Sequence, residues 1–255
     1  MIVAVTLTRH FENVADFDEW VAHHLRIGID KIAIFDDNTA FDLKQACAKY
    51  KGRVDYAKAT TREQYKLYSD FVSNSKADWV LPLDDDEYLL IDNRFKTVQD
   101  VLNYYERKLG TLYVFGIRWK YLFPKKFHSE RTCNVLSYCT EENDWLATRF
   151  SGHGNRVIKC MVRPSAFERY MDADESRLRN HIPVSNMTNG ATLTDGTLAK
   201  VQIVKPPADE YIRLIHCPFK GYSDYMQKRE TMYSVCDSRH NKRRYAFDLH
   251  LENLE

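Results

Sequence analysis

Trp79-Val80-Leu81-Pro82-Leu83 runs straight into Asp84-Asp85-Asp86-Glu87, and Tyr88-Leu89-Leu90-Ile91 follows at once. A short apolar run of this kind, Trp79 to Leu83, reads as a buried strand. The acidic quartet between two apolar runs is not an ordinary solvated turn. Adjacent carboxylates repel one another unless a cation or water separates them. At a strand end, side-chain alternation turns Asp84 and Asp86 to the same side. Two carboxylates on one side suit a hard divalent ion, Mn²⁺ or Mg²⁺, which prefers oxygen ligands and keeps positions open for phosphate. The chemistry that needs such an arrangement is departure of a diphosphate. A plain acidic turn or a helix N-terminus is the alternative.

Upstream, the chain alternates between strand-like and helix-like patterns. Ile2 to Leu7 reads as a first strand. Residues 14 to 27 place Phe17, Trp20, Val21 and Leu25 on one helical face, with Gly28 as the stop. Lys31 to Phe35 is a second strand ending in Asp36-Asp37-Asn38. A helix over 40–50, a third strand from Arg53 to Ala57 and a helix over 62–76, with Tyr65, Tyr68, Phe71 and Val72 at helical spacing, lead to the fourth strand. Strand and helix in alternation predict an α/β fold on a parallel sheet with right-handed crossovers. In such sheets ligands bind beyond the carboxyl ends of the strands, where the acidic clusters at 36–37 and 84–87 fall.

Downstream the pattern loosens. Val98, Val101, Leu102 and Tyr105 mark a helix, and Thr111 to Trp119 a longer strand. Residues 120–155 read as polar and irregular, Arg156 to Arg163 as a strand, 165–200 as loop-rich, Tyr211 to His216 as a last strand and 222–235 as a last helix. With no repeat or linker in view, the expectation is one domain over 1–255. Its nucleotide-binding half is 1–92, its acceptor-binding half 93–235, and 236–255 a basic tail carrying Arg239 to Arg244.

Composition narrows the classes. Lys and Arg total 37 and Asp and Glu 36, so a dominant nucleic-acid role, which needs a basic excess, is not expected. Hydrophobic residues at 44% exclude a disordered chain. Sixteen tyrosines suit a cleft that takes flat amphipathic ligands, or a Tyr-rich core. The six cysteines form no C-x-x-C pair, which speaks against structural zinc. No apolar run approaches membrane-spanning length, and the opening Met1-Ile-Val-Ala-Val lacks a basic n-region, so the expectation is a soluble cytoplasmic protein.

Taken together, these segments resemble the GT-A glycosyltransferases, in particular the family 2-like and family 92-like group. Asp84-Asp85-Asp86-Glu87-Tyr88 is similar to that group's D-x-D-E-[FY] segment. Glu19-Trp20-Val-Ala-His23-His24-Leu-Arg-Ile-Gly28 and Phe35-Asp36-Asp37-Asn38-Thr39 are similar to its earlier signatures. Trp119, Lys159-Cys-Met-Val-Arg163-Pro164 and His216, with Lys220, Ser223, Tyr225 and Lys228 beyond it, are similar to its later blocks. The chain departs from the group at His216-Cys217, where the group has His-Tyr. The resemblance spans most of residues 2–230. It implies a GT-A, Rossmann-like, mostly parallel sheet flanked by helices, with a smaller mixed C-terminal part.

The resemblance also implies an activity: a metal-dependent transferase moves a sugar, hexosyl or deoxyhexosyl, from a nucleoside-diphosphate donor such as a UDP-sugar to a hydroxyl of a glycan or glycoconjugate, with inversion. Mn²⁺ or Mg²⁺ would be held by Asp84, Asp86 and His216. Thr6, Thr8, Arg9, Glu12, Asp36, Asp84 and Asp85 would line the nucleotide site, with Arg9 pairing with diphosphate. An inverting enzyme needs a carboxylate base for the acceptor hydroxyl. Asp172, Asp174, Glu175 and Asp195 qualify by type, and Asp174 and Asp195 are preferred. Trp119, His153 and Lys159 would meet the acceptor.

Two other classes share these features. A metal-dependent nucleotidyltransferase or phosphohydrolase could use the same carboxylates, and a non-catalytic glycan-binding relic could keep the scaffold. Gly152-His153-Gly154 is no dinucleotide fingerprint, because Val157 stands where the third glycine belongs. His23 and His24 are adjacent and so turn to different helical faces; one is expected in the core and one in solvent.

Overall fold

The switch from a period of two to a period of 3.6 marks the elements, and the computed structural model puts them close to where the pattern does. It describes residues 1–8, 11–61, 63–125, 131, 133–144, 147–148, 157–166, 181–183, 211–221 and 224–226. Strands β1 (Ile2–Thr8), β2 (Lys31–Asp36) and β3 (Val54–Lys58) alternate with helices α1 (Val14–Arg26), α2 (Leu43–Ala48) and α3 (Gln64–Asn74), and β4 (Trp79–Pro82) follows. Then come β5 (Glu87–Ile91), α4 (Val98–Leu109), β6 (Val114–Tyr121) and the short β7 (Phe123–Pro124). α5 (Val135–Tyr138), β8 (Cys139–Glu141), β9 (Val157–Val162), β10 (His181–Pro183) and β11 (Ile212–His216) complete the series.

Among the described residues a nine-stranded sheet runs in the order β3-β2-β1-β4-β9-β6-β11-β5, with β10 paired to β9. β1, β2, β3 and β4 are parallel, and β6 and β11 run the same way, while β9 and β5 run against them. This is the expected α/β class, with a mostly parallel sheet flanked by helices and a more mixed C-terminal part. From β1 the chain steps outward to β2 and β3, then returns to the other side of β1 for β4. The carboxyl ends of β1 and β4 therefore flank a topological switch point.

Alternation sorts the strand residues onto two faces. Ile2, Ala4, Ile32, Ile34, Trp79 and Leu81 pack in one cluster with Phe17, Trp20 and Val21 of α1, Leu43 of α2 and Val98, Val101 and Leu102 of α4. Val3, Val5, Ala33 and Val80 pack in a second cluster with Leu67, Tyr68 and Val72 of α3. Thr6, Thr8 and Asp36 continue the first register beyond the apolar part of their strands. α1 starts at the Asn13 cap, whose side chain accepts from Asp16 N, and Gly28 leaves it with φ +93°.

Three expectations change. Residues 120–155 are not simply irregular: β7 pairs with β8, and α5 lies between them. Tyr88 to Ile91, read only as the apolar flank of the acidic turn, belongs to β5, which pairs with β11 more than a hundred residues on and stands last in the described strand order. Both His23 and His24 are buried, at 6% and 0% exposure. Among the described residues β5 ends the sheet, and side chains of α1 cover its outer edge. Trp20 Nε1 donates to Glu87 O at 2.8 Å, Leu89 N donates to His24 Nε2 at 3.3 Å, and His23 Nε2 meets Leu89 O at 2.8 Å. The adjacent histidines thus bracket the N–H and C=O of one residue, Leu89, which leaves neither ring for solvent. Of the expected last helix over 222–235, only Asp224–Met226 lies within the described residues.

Candidate functional site

β4 closes at Pro82, and Leu83 N makes the last backbone bond to β1, to Val5 O at 2.9 Å. Asp84 to Asp86 are not the end of a strand but a turn leading into β5. Alternation therefore does not orient Asp84 and Asp86; their separate partners do. Asp84 Oδ1 accepts from Gln64 Nε2 at 2.6 Å, and its Oδ2 lies 3.1 Å from Lys159 Nζ. Asp85 Oδ2 accepts from the Thr8 hydroxyl. Asp86 Oδ1 lies 3.1 Å from His216 Nε2, and Asp86 O accepts from Cys217 N at 2.9 Å. The triplet is tied to α3 and β9, to β1 and to β11 in turn.

Beneath the turn, Glu87 Oε2 accepts from Asp84 N at 2.7 Å and from Lys159 Nζ. The Lys159 and Glu87 side chains are both 0% exposed. Burial, reinforced by Asp84, pushes the Glu87 carboxyl up to about 8, and Lys159 offsets only part of this. Burial alone would lower Lys159, but the Asp84 and Glu87 carboxylates outweigh it and hold the ammonium above its usual range. Lys159, expected against an acceptor, instead lies inside the protein under the acidic turn.

The His216 ring stacks on Trp119 at 4.6 Å and 13° and on Tyr121 at 4.7 Å and 30°. Parallel pairing of β6 with β11, which sets His216 opposite Tyr121, brings these rings together. His216 Nδ1 is buried with no hydrogen-bond partner among the described residues. Trp119 is 7% exposed and lies within this aromatic cluster.

On the other flank of β1, Asp36 lies beside Thr8 in register. Its Oδ1 accepts from Thr39 N at 2.8 Å, and its Oδ2 from Tyr56 OH at 3.0 Å and Lys58 Nζ at 2.7 Å. Burial raises Asp36, but the bonds from Lys58, Thr39 and Tyr56 outweigh it and hold the carboxyl below its usual value. Thr6 Oγ1 is buried with no hydrogen-bond partner among the described residues. Glu12 is half-buried; burial, then the Asp224 and Asp16 charges, raise its carboxyl against Lys220. Arg9, His153, Asp172, Asp174, Glu175 and Asp195 lie outside the described residues.

Sequence reasoning missed Gln64, Tyr56, Lys58 and Glu87 as site residues and read Tyr68 only as helix core. The available signal was the lysine inside Val157-Ile-Lys159-Cys-Met-Val162, since a cation within an apolar strand must find a buried counter-charge.

No group of three or more His, Cys, Asp or Glu side chains poised to hold a metal exists among the described residues. Asp86 and His216 nevertheless pass a test of fit as a pair. Two neighbouring ligands of an octahedral ion with bonds of about 2.1 Å lie about 3.0 Å apart. The observed 3.1 Å matches this, and the pair supplies the oxygen and imidazole donors that Mn²⁺ accepts.

No protein-family model matches the chain, and no curated protein matches it. Among solved structures, S. aureus TarS 1-349 in complex with UDP-GlcNAc is similar at 9% identity and a TM-score of 0.43, over 99% of this chain and 70% of that one. Glucosyl-3-phosphoglycerate synthase from Mycobacterium tuberculosis in complex with Mn²⁺, UDP and glucosyl-3-phosphoglycerate aligns at 10% identity and a TM-score of 0.36, over 67% of this chain and 59% of that one. A CMP:2-keto-3-deoxy-manno-octonic acid synthetase complexed with CTP aligns at 13% and 0.37, over 66% and 76%. Likenesses this distant say nothing of what this chain binds.

Proposed function

We propose that this chain is a GT-A-type glycosyltransferase that takes a sugar from a nucleoside-diphosphate donor, a UDP-sugar by preference, and passes it with inversion to a hydroxyl of a glycan or glycoconjugate. The observation that carries the reading is the acidic turn at the switch point, with Asp86 and His216 facing each other at 3.1 Å. A nucleotide in the crevice between β1 and β4 would meet Thr6 and Thr8, with Asp36, Arg9 and Glu12 around it. Asp84 and Asp85 would serve the ribose and diphosphate. Asp86 and His216, with Asp84, would hold Mn²⁺ or Mg²⁺, which when bound neutralises charge on the departing diphosphate. Glu87 and Lys159 hold the turn from beneath, so the carboxylates are placed before the ligand arrives. Trp119 and His153 would face the acceptor, and Asp174 or Asp195 would take its hydroxyl proton. Residues 1–92 would then bind the nucleotide and 93–235 the acceptor.

The test is a screen of nucleotide sugars for slow donor hydrolysis with Mn²⁺, alongside melting scans with UDP and Mn²⁺. Hydrolysis of one donor class, with a melting temperature raised by the same nucleotide, is the expected result. Turnover of nucleoside triphosphates without a sugar would point to a nucleotidyltransferase instead. Glycan binding that persists in EDTA, without donor hydrolysis, would point to a relic.

A further inference from the structure

The ladder between β1 and β4 stops one bond early. Leu83 N donates to Val5 O at 2.9 Å. In an uninterrupted parallel ladder the same residue would accept from Leu7 N, two residues on. Instead Leu7 N donates to the Tyr68 hydroxyl at 3.2 Å, and that hydroxyl donates to Leu83 O at 3.0 Å. Gln64 Nε2 donates to the same oxygen at 3.1 Å and to Asp84 Oδ1 at 2.6 Å. A phenol has one donor and two acceptor sites, and Tyr68 uses all three. Its ring is 0% exposed, packed with Leu67 and Val72 against the α3 face of the sheet.

We propose that Tyr68 is a wedge: its hydroxyl stands in for one backbone bond, holds the ends of β1 and β4 apart, and so keeps open the crevice that receives the nucleoside diphosphate. The Thr8–Asp85 bond spans the same gap from the other face of the sheet. The wedge also fixes Gln64, and through it one oxygen of Asp84. Tyr68 is thus a positioning residue that touches no ligand. Its ligand role rests on the donor reading above, whereas its role in the sheet does not.

Tyr68→Phe separates the two, because it keeps the ring and removes only the oxygen. In the isotope-labelled full chain without ligand, the through-bond coupling between Leu7 N and Leu83 C′ should be absent from wild type. It should appear in Tyr68→Phe as the strands close on each other. The dissociation constant of UDP with Mn²⁺, measured by calorimetry, should rise at least tenfold in a variant that still melts cooperatively. Unchanged UDP affinity in Tyr68→Phe overturns the wedge as a determinant of the crevice. If wild type binds no nucleoside diphosphate, the donor reading fails and the coupling alone decides the wedge: its appearance in the variant supports it, and its absence overturns it. Should Tyr68→Phe not fold, wild type carries the test, since a direct Leu7–Leu83 coupling there overturns the proposal.

Discussion

His216 Nε2 and Asp86 Oδ1 meet at 3.1 Å although 130 positions of sequence separate them. β11 is held between β6 and β5, and Cys217 N donates to Asp86 O, so backbone and side chains fix the pair together. Trp119 and Tyr121 stack on the imidazole and leave it little freedom to turn away. Such a pair is preorganised: ordering it costs little when a ligand binds.

Asp86→Ala should abolish the metal-dependent part of nucleotide stabilisation. At a ligand concentration of 100 times Kd, binding stabilises the folded state by about 2.7 kcal/mol, which in a chain of this size raises Tm by roughly 5–10 °C. Wild type should show that rise with UDP and Mn²⁺ together. In Asp86→Ala the melting temperature with UDP should be the same whether or not Mn²⁺ is present. A variant that keeps the full manganese-dependent rise removes Asp86 from the site.

Lys159→Met should be strongly destabilising. It leaves Glu87 and Asp84 facing each other around an apolar side chain, and removing one partner of a buried ion pair costs about 3–5 kcal/mol. The lower end is expected, because Glu87 is already inclined to take up a proton. Glu87→Gln in the Lys159→Met background should recover part of the loss. Urea midpoints of wild type, both single variants and the double variant give the coupling. A double variant equal to the sum of the singles would mean that Lys159 and Glu87 act independently.

Much of the first half was legible from the sequence because its contacts are local in topology. Each strand from β1 to β4 is followed or preceded by its own helix, and the pattern of Ile2–Thr8 or Lys31–Asp36 reports both faces of a buried strand. The acidic turn was found for the same reason, since its flanks are apolar on both sides. What the pattern could not show was which distant strands meet. Glu87–Ile91 reads as an apolar flank until Ile212–His216 is known to lie beside it. β9 enters antiparallel between β4 and β6, and only that placement brings Lys159 beneath Asp84. The Glu19-Trp20 and His23-His24 pairs stood out in sequence, yet their hydrogen bonds end on the edge of β5 and on Arg131 and Val135.

His24 makes stability depend on pH in a defined direction. The ring is fully buried; burial and then His23 hold its pKa well below the ordinary histidine value. Nε2 accepts from Leu89 N, which a protonated ring cannot do. Below about pH 6.5 the unfolded chain takes up a proton that the folded chain refuses, so this contribution is present above 6.5 and is lost on acidification. Glu87 acts oppositely, because its raised carboxyl favours the folded state as pH falls below about 8. The clean measurement is therefore the stability difference between wild type and His24→Gln. Between pH 6.5 and 5 that difference should shrink by up to about 1.4 kcal/mol per pH unit. A difference that stays constant from pH 7.5 to 5 would show that His24 is not held neutral.

Gly28 joins α1 to β2 and also carries the packing of α4. Its φ of +93° lies where side chains other than glycine are strained, and a Cβ built there would stand 2.7 Å from Thr97 Cβ. Thr97 is no flexible tip: it caps α4 in a reciprocal box with Asp100, and Val98 N donates to Ile27 O at 2.9 Å. The clash would therefore push helix against helix. Gly110 provides the comparison, with φ +84° and nothing within 4 Å of an added Cβ. With ψ −169° as well, Gly110 lies in a region almost confined to glycine, so Gly110→Ala should cost about 1–3 kcal/mol, the backbone term alone. Gly28→Ala should cost its own backbone strain at φ +93°, about 1–3 kcal/mol, plus about 1–3 kcal/mol of overpacking. Urea unfolding of the two variants measures the difference, and equal losses would mean that the α1–α4 contact yields without resistance.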